Sequence, residues 1–117
     1  MESWRNIDGF NGYEVSNLGN VRSYRIRNSK RLRDKPKLLS QNLLKTHCKE
    51  YYKVGLMKGK DRKSFLIHRL VALAFLDNNE NKPQVHHIDN NGLNNKLDNL
   101  EWCTNSENQI HRFKYGK

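Results

Sequence analysis

Hydrophobic and polar positions alternate in four short segments of the chain, and one longer segment is apolar on nearly every side. YEVS and NVRSY alternate on either side of residues 17–19, which predicts two short strands joined as a hairpin. YYKVGLM at 51–57 and SFLIH at 64–68 predict a second pair of strands, joined by the turn-prone KGKDRK. Residues 67–76, IHRLVALAFL, are apolar almost all round, which predicts a buried helix that supports the elements around it.

The last third of the chain has the pattern of a strand, a loop, a second short strand and a helix. VHHID is strand-like, an Asn-rich loop follows, and LDNLEW returns as a short strand. Thr104 followed three positions later by Glu107 is a capping-box signature, so a helix is predicted to begin at Asn105. Three polar side chains three and four positions apart would share one face of that helix. They are Asn108, His111 and Arg112.

Two adjacent histidines open this segment, and their chemistry suits metal-assisted phosphodiester hydrolysis. That reaction needs a water made nucleophilic near neutral pH and a cation that stabilises charge on the phosphate and the leaving oxygen. Neighbouring side chains on a strand point to opposite sides, so one of His86 and His87 can hold a metal while the other faces the phosphate. Asn99 is a candidate to orient the base. The alternative is a strand with one exposed histidine and one hydrogen-bonded in the core.

The charge distribution favours a polyanionic partner. The net charge is +10, and residues 1–60 carry 14 Lys and Arg against 5 Asp and Glu, whereas residues 61–117 carry 8 against 7. Between residues 22 and 37 only Asp34 opposes a run of basic side chains. This run predicts salt-sensitive, sequence-independent contact with phosphates, and the alternative is a solvated loop. Its members are Arg22, Arg25, Arg27, Lys30, Arg31, Arg33, Lys35 and Lys37.

Composition also disfavours several classes of protein. The two cysteines are far apart and form no CxxC pair, which argues against a structural zinc knuckle. No apolar run approaches a membrane span and the N-terminus does not resemble a signal peptide, so we expect a soluble cytoplasmic protein with no membrane partner. The chain has no aromatic pattern of the RNP or KH type, which counts against an RNA- or ribosome-associated protein. At 117 residues it is one small domain or two closely packed modules.

Two motifs resemble those of a known family. The spacing HH-x(11)-N-x(8)-N, with NLEW-x-T around its central Asn, resembles the signature of the HNH endonucleases, the ββα-metal nucleases of phages, introns and bacterial toxins. Residues 4–23 resemble the module W-x-x-I-x-G-F-x-G-Y-x-V-S-N-x-G-x-V-R-S that precedes the nuclease domain in many phage and intron homing enzymes. The resemblance implies an α+β fold, with a small ββα-metal core preceded by a short β-hairpin module. Residues 1–48 would form that module with its basic DNA-contacting arm, and residues 49–117 the nuclease domain.

The resemblance also implies roles for individual residues. His86 would be the first metal ligand, His87 the general base, Asn99 the asparagine that fixes the loop and the base, and Asn108 the last metal ligand, on the helix. Four further side chains are candidate phosphate contacts from their positions in the sequence. His68 and Arg69 stand near the start of the helix predicted at 67–76, where a phosphate can bind, and the alternative is that they cap the helix or extend to solvent. His111 and Arg112 share a helix face with Asn108, and the alternative for His111 is an exposed helical side chain.

The implied reaction is hydrolysis of double-stranded DNA with one divalent metal ion. Mg²⁺ or Mn²⁺ suits this nitrogen and oxygen ligand set best, and Ni²⁺, Co²⁺ or Zn²⁺ would be tolerated. The chain would be encoded by a phage or mobile element and act as a monomer or homodimer, in homing or alternatively in packaging or restriction. The alternative function is a non-catalytic DNA-binding module with a degenerate nuclease fold, and the intact set of two His and two Asn counts against it.

Overall fold

Nine strands, one α-helix and one 3₁₀ turn make up the part of the chain that this computed structural model describes, residues 2–26, 31–46, 49–78 and 80–104. The strands are β1 (Trp4–Asn6), β2 (Tyr13–Ser16), β3 (Val21–Arg25), β4 (Leu32–Leu38), β5 (Asn42–Lys45), β6 (Glu50–Lys58), β7 (Asp61–Leu66), β8 (Gln84–His87) and β9 (Leu100–Cys103). The helix α1 spans Ile67–Phe75 and the 3₁₀ turn spans Leu97–Asn99. The predicted α+β class is confirmed.

The first sheet is antiparallel, with its strands in the order β1-β2-β3-β4. β2 and β3 form the predicted hairpin, in which Val15 lies opposite Val21 and both side chains are fully buried. The turn that joins them holds Gly19 at φ 88°, a left-handed conformation that glycine adopts at little cost. The hairpin therefore presents one apolar face to the interior, as its alternating sequence requires.

The sequence pattern does not predict β4, which is formed by the basic stretch after the hairpin. It pairs with β3 at the edge of the sheet, with an irregular register between Ser23 and Arg25. Pro36 is compatible with that position because an edge strand has one side without ladder hydrogen bonds. Most of its side chains are exposed, so β4 contributes charge to the surface and little to the core.

The second sheet, in the order β5-β6-β7, leads directly into the helix. β6 and β7 pair as far as Lys58 and Asp61, so the turn between them is only two residues long, shorter than the six-residue turn predicted. α1 begins immediately after β7, as the apolar run predicts. No helix in the described ranges is long and apolar enough to cross a membrane.

One hydrophobic core joins the first sheet, the second sheet and the helix. Val15 and Val21 from the first sheet pack in the same buried cluster as Leu56 from β6 and as Ile67 and Val71 from α1. The apolar run is not buried on every side, since Leu73 on the outer face of α1 is 63% exposed. The helix is thus the common support that the sequence predicts, with one exposed stripe.

The first sheet also supplies polar partners to the second sheet. The Tyr13 hydroxyl accepts a hydrogen bond from the Met57 backbone N–H at 2.9 Å, and Arg25 Nη1 donates to the Met57 carbonyl at 2.7 Å. Together these side chains satisfy both backbone groups of one β6 residue. These hydrogen bonds and the shared hydrophobic core hold the first and second sheets together.

Candidate active site

The histidine pair lies on a two-stranded ribbon formed by β8 and β9. His86 lies opposite Glu101 and His87 opposite Leu100, in antiparallel register. The strand, loop and short strand predicted for this segment are therefore present, with a 3₁₀ turn just before β9. The helix predicted from Asn105, with Asn108, His111 and Arg112, lies outside the described residues.

Asn99 clamps the loop that connects the two strands. Its side-chain oxygen accepts a hydrogen bond from the Asp89 backbone N–H at 3.1 Å, and its Nδ2 donates to Asp89 Oδ1 at 3.0 Å and to the Asn94 carbonyl at 2.9 Å. The Asn99 backbone carbonyl also accepts from the Ile88 N–H at 2.8 Å. The Asn99 side chain thus holds the loop at Asp89, two residues beyond His87, and at Asn94.

Asp89 is the acceptor around which that loop is folded. Burial alone would raise its pKa, but hydrogen bonds from Asn94, from the Asn91 backbone and from Asn99 outweigh burial and lower the pKa. Asp89 is therefore a stable carboxylate near neutral pH. Its negative charge lies near His87 and opposes, in part, the effects that lower the pKa of that imidazole.

His87 is buried, and one of its two ring nitrogens already has a partner. Its Nε2 lies 2.9 Å from Asn95 Oδ1, between two side chains that are 7% and 5% exposed. Burial lowers the pKa of His87, as do Lys49 and His86, while the Asn95 hydrogen bond and Asp89 oppose the shift. His87 is therefore neutral at pH 7, with Nδ1 as the nitrogen that can accept a proton.

A cavity of about 50 Å³ lies beside the His87 ring. The His68 ring packs edge-on against it with centroids 4.6 Å apart, and the Tyr51 ring lies 5.5 Å from the His68 ring and 6.0 Å from the His87 ring. Lys49 and Asn90 also line the cavity. With His86, which also lines the cavity, the site combines three imidazoles, the Tyr51 ring and the positively charged Lys49.

His68 is neutral in this setting. Burial, followed by electrostatic interaction with His87 and Arg69, lowers its pKa to about 3. Its Nδ1 is buried and makes no hydrogen bond within the described residues. A buried polar atom without a partner is costly in a folded protein, and such atoms concentrate where a ligand or water completes the site.

The donor atoms around the cavity fit a divalent cation. His86 is 4% exposed and lines the cavity together with His87. Asn90 Oδ1 is buried and has no hydrogen-bond partner within the described part of the chain, on a residue held at φ 62°. Imidazole nitrogen and amide oxygen suit Mg²⁺, Mn²⁺ and the later divalent metals. Although three histidines line the cavity, no three His, Cys, Asp or Glu side chains among the described residues are arranged so that they could hold one metal ion.

Comparison with known proteins assigns the chain to a family. Residues 65–110 match the family model described as HNH endonuclease, and residues 2–65 match the NUMOD4 motif. This chain carries a NUMOD4 motif followed by an HNH endonuclease domain. HNH nucleases generally use a divalent metal ion.

Individual relatives of this HNH protein come from viruses and phages. DNA endonuclease I-HmuI of Bacillus phage SP01 is 40% identical over 93% of this chain and 58% of its own length. An uncharacterized HNH endonuclease of Acanthamoeba polyphaga mimivirus is 40% identical over 94% of this chain and 26% of its own length. The solved structure described as DNA binding and cleavage by I-HmuI matches 96% of this chain and 58% of that chain, with 34% identity and a TM-score of 0.78. The chain thus spans less than two thirds of the length of these relatives.

The basic residues predicted to contact phosphate fall into two groups in this HNH chain. Arg22 is paired with Glu14 at 2.6 Å and stacks 4.0 Å over the Trp4 ring, and Arg25 is bonded to the Met57 carbonyl. These two arginines are held by partners inside the fold. Four others are exposed on or beside β4, namely Arg31, Arg33, Lys35 and Lys37, while Arg27 and Lys30 lie outside the described residues.

Arg69, at the start of α1, is engaged with the neighbouring ribbon. Its Nη1 donates to the Pro83 carbonyl at 2.9 Å, and its guanidinium lies 5.7 Å from the Trp102 ring centroid. The sequence did not single out three neighbours of His87, namely Lys49, Tyr51 and Asn95. The Asn-rich composition of the loop was a signal for turns, and nothing in it distinguished Asn95 from the asparagines around it.

Proposed function

We propose that this chain is a metal-dependent DNA endonuclease of the homing type, encoded by a phage or mobile element, that hydrolyses phosphodiester bonds of double-stranded DNA. The observation that carries the proposal is the state of His87, a buried neutral imidazole with Nε2 bonded to Asn95 and a cavity beside the ring. That is the state a general base needs before it meets its water. One such site per chain predicts a nick in one strand, and a double-strand break would need a dimer or two events.

In the proposed reaction His87 Nδ1 accepts a proton from the attacking water. The hydroxide oxygen forms a bond to phosphorus as the bond from phosphorus to the 3′ oxygen breaks. The departing 3′ oxygen takes a proton from a solvent water, so the products carry a 5′ phosphate and a 3′ hydroxyl. Lys49 contributes positive charge beside the base, which opposes protonation of His87 before substrate arrives. Asn99 fixes the loop backbone next to His87, so the ring does not drift from its position.

His86 and Asn108 are the proposed metal ligands. His86 is buried at the cavity, and Asn90 Oδ1 beside it has no partner among the described residues, which supports a cation at this place. The role of Asn108 rests on the family resemblance. When bound, a divalent ion such as Mg²⁺ or Mn²⁺ would act as a Lewis acid that stabilises negative charge on the phosphate and the departing 3′ oxygen.

His68 and Arg69 are proposed phosphate contacts at the edge of the cavity. The unpartnered Nδ1 of His68 supports a hydrogen bond to the substrate or to a water that bridges to it. The bond from Arg69 to Pro83 uses one of five guanidinium hydrogens, which leaves others for a phosphate oxygen. His111 and Arg112 remain proposals that rest on sequence spacing.

The exposed cations on and beside β4 are the proposed DNA-contacting surface. Replacing two of its lysines by Gln should lower the slope of log K against log salt by about 2 units, because each phosphate contact contributes about 0.9. The control replaces two exposed lysines of the β6–β7 hairpin, with the same loss of charge. The pairs are Lys35 with Lys37 and, as control, Lys60 with Lys63. Equal slopes for both double variants would mean that β4 makes no particular contribution.

The decisive experiment on the function is nicking of supercoiled plasmid with Mn²⁺ or Mg²⁺, with and without EDTA, by the wild-type chain and His87→Ala. Wild type should nick only with metal, and the variant should lose activity by at least 10²-fold, at the low end of what a general base contributes. DNA affinity measured in EDTA should be nearly unchanged. Nicking by the variant at the wild-type rate would remove His87 from the reaction, and binding without any cleavage by wild type would favour the non-catalytic module.

A further inference from the structure

The partner of the His87 ring is Asn95, which the family signature does not include. Its Oδ1 lies 2.9 Å from His87 Nε2, and the two residues are eight positions apart. The signature asparagine, Asn99, directs its amide to Asp89 and Asn94 instead. The ring of the proposed base is therefore oriented by one asparagine and its backbone by another.

An acceptor at Nε2 decides which nitrogen of a neutral imidazole is free. A neutral histidine carries one N–H and one lone pair. With the Asn95 oxygen facing the ring, Nε2 carries the hydrogen and Nδ1 carries the lone pair, a tautomer assigned here from the hydrogen bond. Without that oxygen the two tautomers would mix, and only part of the molecules would have the lone pair on Nδ1.

Asn95 is held in place by the hairpin turn of the first module. The Asn17 carbonyl in that turn accepts a hydrogen bond from the Leu97 N–H at 2.7 Å. A Cβ added at Gly19 would lie 3.0 Å from Asn95 Cβ and 3.2 Å from its carbonyl oxygen, so Asn95 packs directly on the glycine. The turn thus contacts the loop at Asn95 and two residues beyond it.

The turn is itself rigid enough to act as a support. Ser16 is fully buried, and its hydroxyl accepts hydrogen bonds from the Leu18 N–H at 3.2 Å and the Asn20 N–H at 3.1 Å. The Gly19 carbonyl accepts from Gln41 Nε2 at 2.8 Å, which ties the turn to the segment before β5. Its backbone groups are therefore engaged on both sides of the contact with Asn95.

We propose that Asn95 is a positioning residue that selects the Nε2-protonated tautomer of His87, and that the Ser16–Asn20 turn of the first module holds Asn95 where it can do so. The inference rests on the proposed role of His87 as general base. It gives the first module a function inside the nuclease site, in addition to any contact with DNA. A substitution in this turn would then alter the cleavage rate by displacing Asn95.

The first experiment compares Asn95→Leu with Asn95→Asp, two side chains of similar size of which only Asp offers an oxygen acceptor. Single-turnover cleavage at saturating DNA and metal should fall about 10- to 100-fold in the Leu variant, the loss typical of a side chain that orients an active-site ligand. The Asp variant should retain most of the rate. Nitrogen-15 spectra of the histidines, with the His87 signal assigned by its absence in His87→Ala, should report the Nε2–H tautomer in wild type and Asp and a mixture in Leu.

The second experiment compares Gly19→Ala with Gly9→Ala. Both glycines have positive φ, 88° and 80°, so each substitution strains the backbone in the same way, but a Cβ at Gly9 meets nothing within 4 Å. Gly19→Ala should therefore slow cleavage and mix the His87 tautomers, whereas Gly9→Ala should do neither after correction for the folded fraction.

Two outcomes overturn the proposal. Equal cleavage rates and equal tautomer spectra for Asn95→Leu and Asn95→Asp would mean that the acceptor oxygen has no role. Equal effects of Gly19→Ala and Gly9→Ala on the cleavage rate and the His87 tautomer would mean that the turn does not position Asn95. Failure of the general-base role is recognised separately, since it would appear as cleavage by His87→Ala while the tautomer spectra still depend on Asn95.

Discussion

Acidification should destabilise this protein through His68. The side chain is 8% exposed, and burial, together with electrostatic interaction with His87 and Arg69, lowers its pKa from 6.5 to about 3. In the unfolded chain the imidazole regains a pKa near 6.5. Between the two values the unfolded chain binds a proton that the folded chain does not. Stability is therefore complete above about pH 6.5 and falls as the pH drops toward 3.

The size of this effect follows from the two pKa values. Each unit of difference corresponds to about 1.4 kcal/mol, so the free energy of unfolding falls by nearly that amount per pH unit once the unfolded imidazole is protonated. Between pH 7 and pH 5 the loss through His68 amounts to about 2 kcal/mol. Small domains have unfolding free energies on the order of 5 to 15 kcal/mol, so a loss of this size is a measurable fraction of the total.

The assay is urea unfolding in EDTA at pH 7 and pH 5, for wild type and His68→Phe. Phenylalanine keeps an aromatic ring against Tyr51 and His87 and removes the titration. The wild-type loss of stability between the two pH values should exceed the variant's loss by about 2 kcal/mol. Contributions from other titrating groups occur in both proteins and largely cancel in this difference. An equal loss in both proteins would refute the reasoning and mean that His68 titrates in the folded state as it does in the unfolded chain.

Two further predictions concern the hydrogen bond between Tyr13 and Met57 and the pKa of His87. Tyr13→Phe removes the acceptor for the Met57 N–H and should cost about 1 to 3 kcal/mol of unfolding free energy by urea titration, because a buried donor is left without a partner. The control Tyr24→Phe should change little, and an equal cost would contradict the argument. The pKa of His87 is lowered mainly by burial, so its base form persists into mild acid. Single-turnover cleavage at saturating metal should lose its rate only below pH 6.5, and an acid midpoint above that value would contradict the assignment.

The regular elements could be predicted from sequence where a strand or helix has a buried face. Val15 and Val21 alternate with polar residues because only one side of their hairpin meets the core, and Ile67 to Phe75 is apolar because the helix supports several elements. β4 escaped prediction for the opposite reason. It pairs at an exposed edge, so no buried face imposes a period on its sequence.

The spacing of the motif made the chemistry of the site predictable from the sequence. The hydrogen-bond partners of its residues were not predictable. The spacing of His86, His87 and Asn99 indicated the family, which the comparisons confirm. Which nitrogen of His87 is occupied depends on a loop residue eight positions away, and only the folded loop brings Asn95 there. Arg22 illustrates the same limit, because its charge predicts phosphate contact whereas its position gives it Glu14 and Trp4 as partners.

The turn between β2 and β3 has two independent reasons for its glycine, and only one of them is visible in the sequence. A hairpin turn at φ 88° calls for glycine whatever lies nearby. The close approach of Asn95 calls for glycine because a Cβ would lie 3.0 Å from Asn95 Cβ. The first reason belongs to the hairpin and the second to the site around His87. Because Gly9 shares the first reason without the second, comparison of these two positions separates a module that merely folds from one that also supports catalysis.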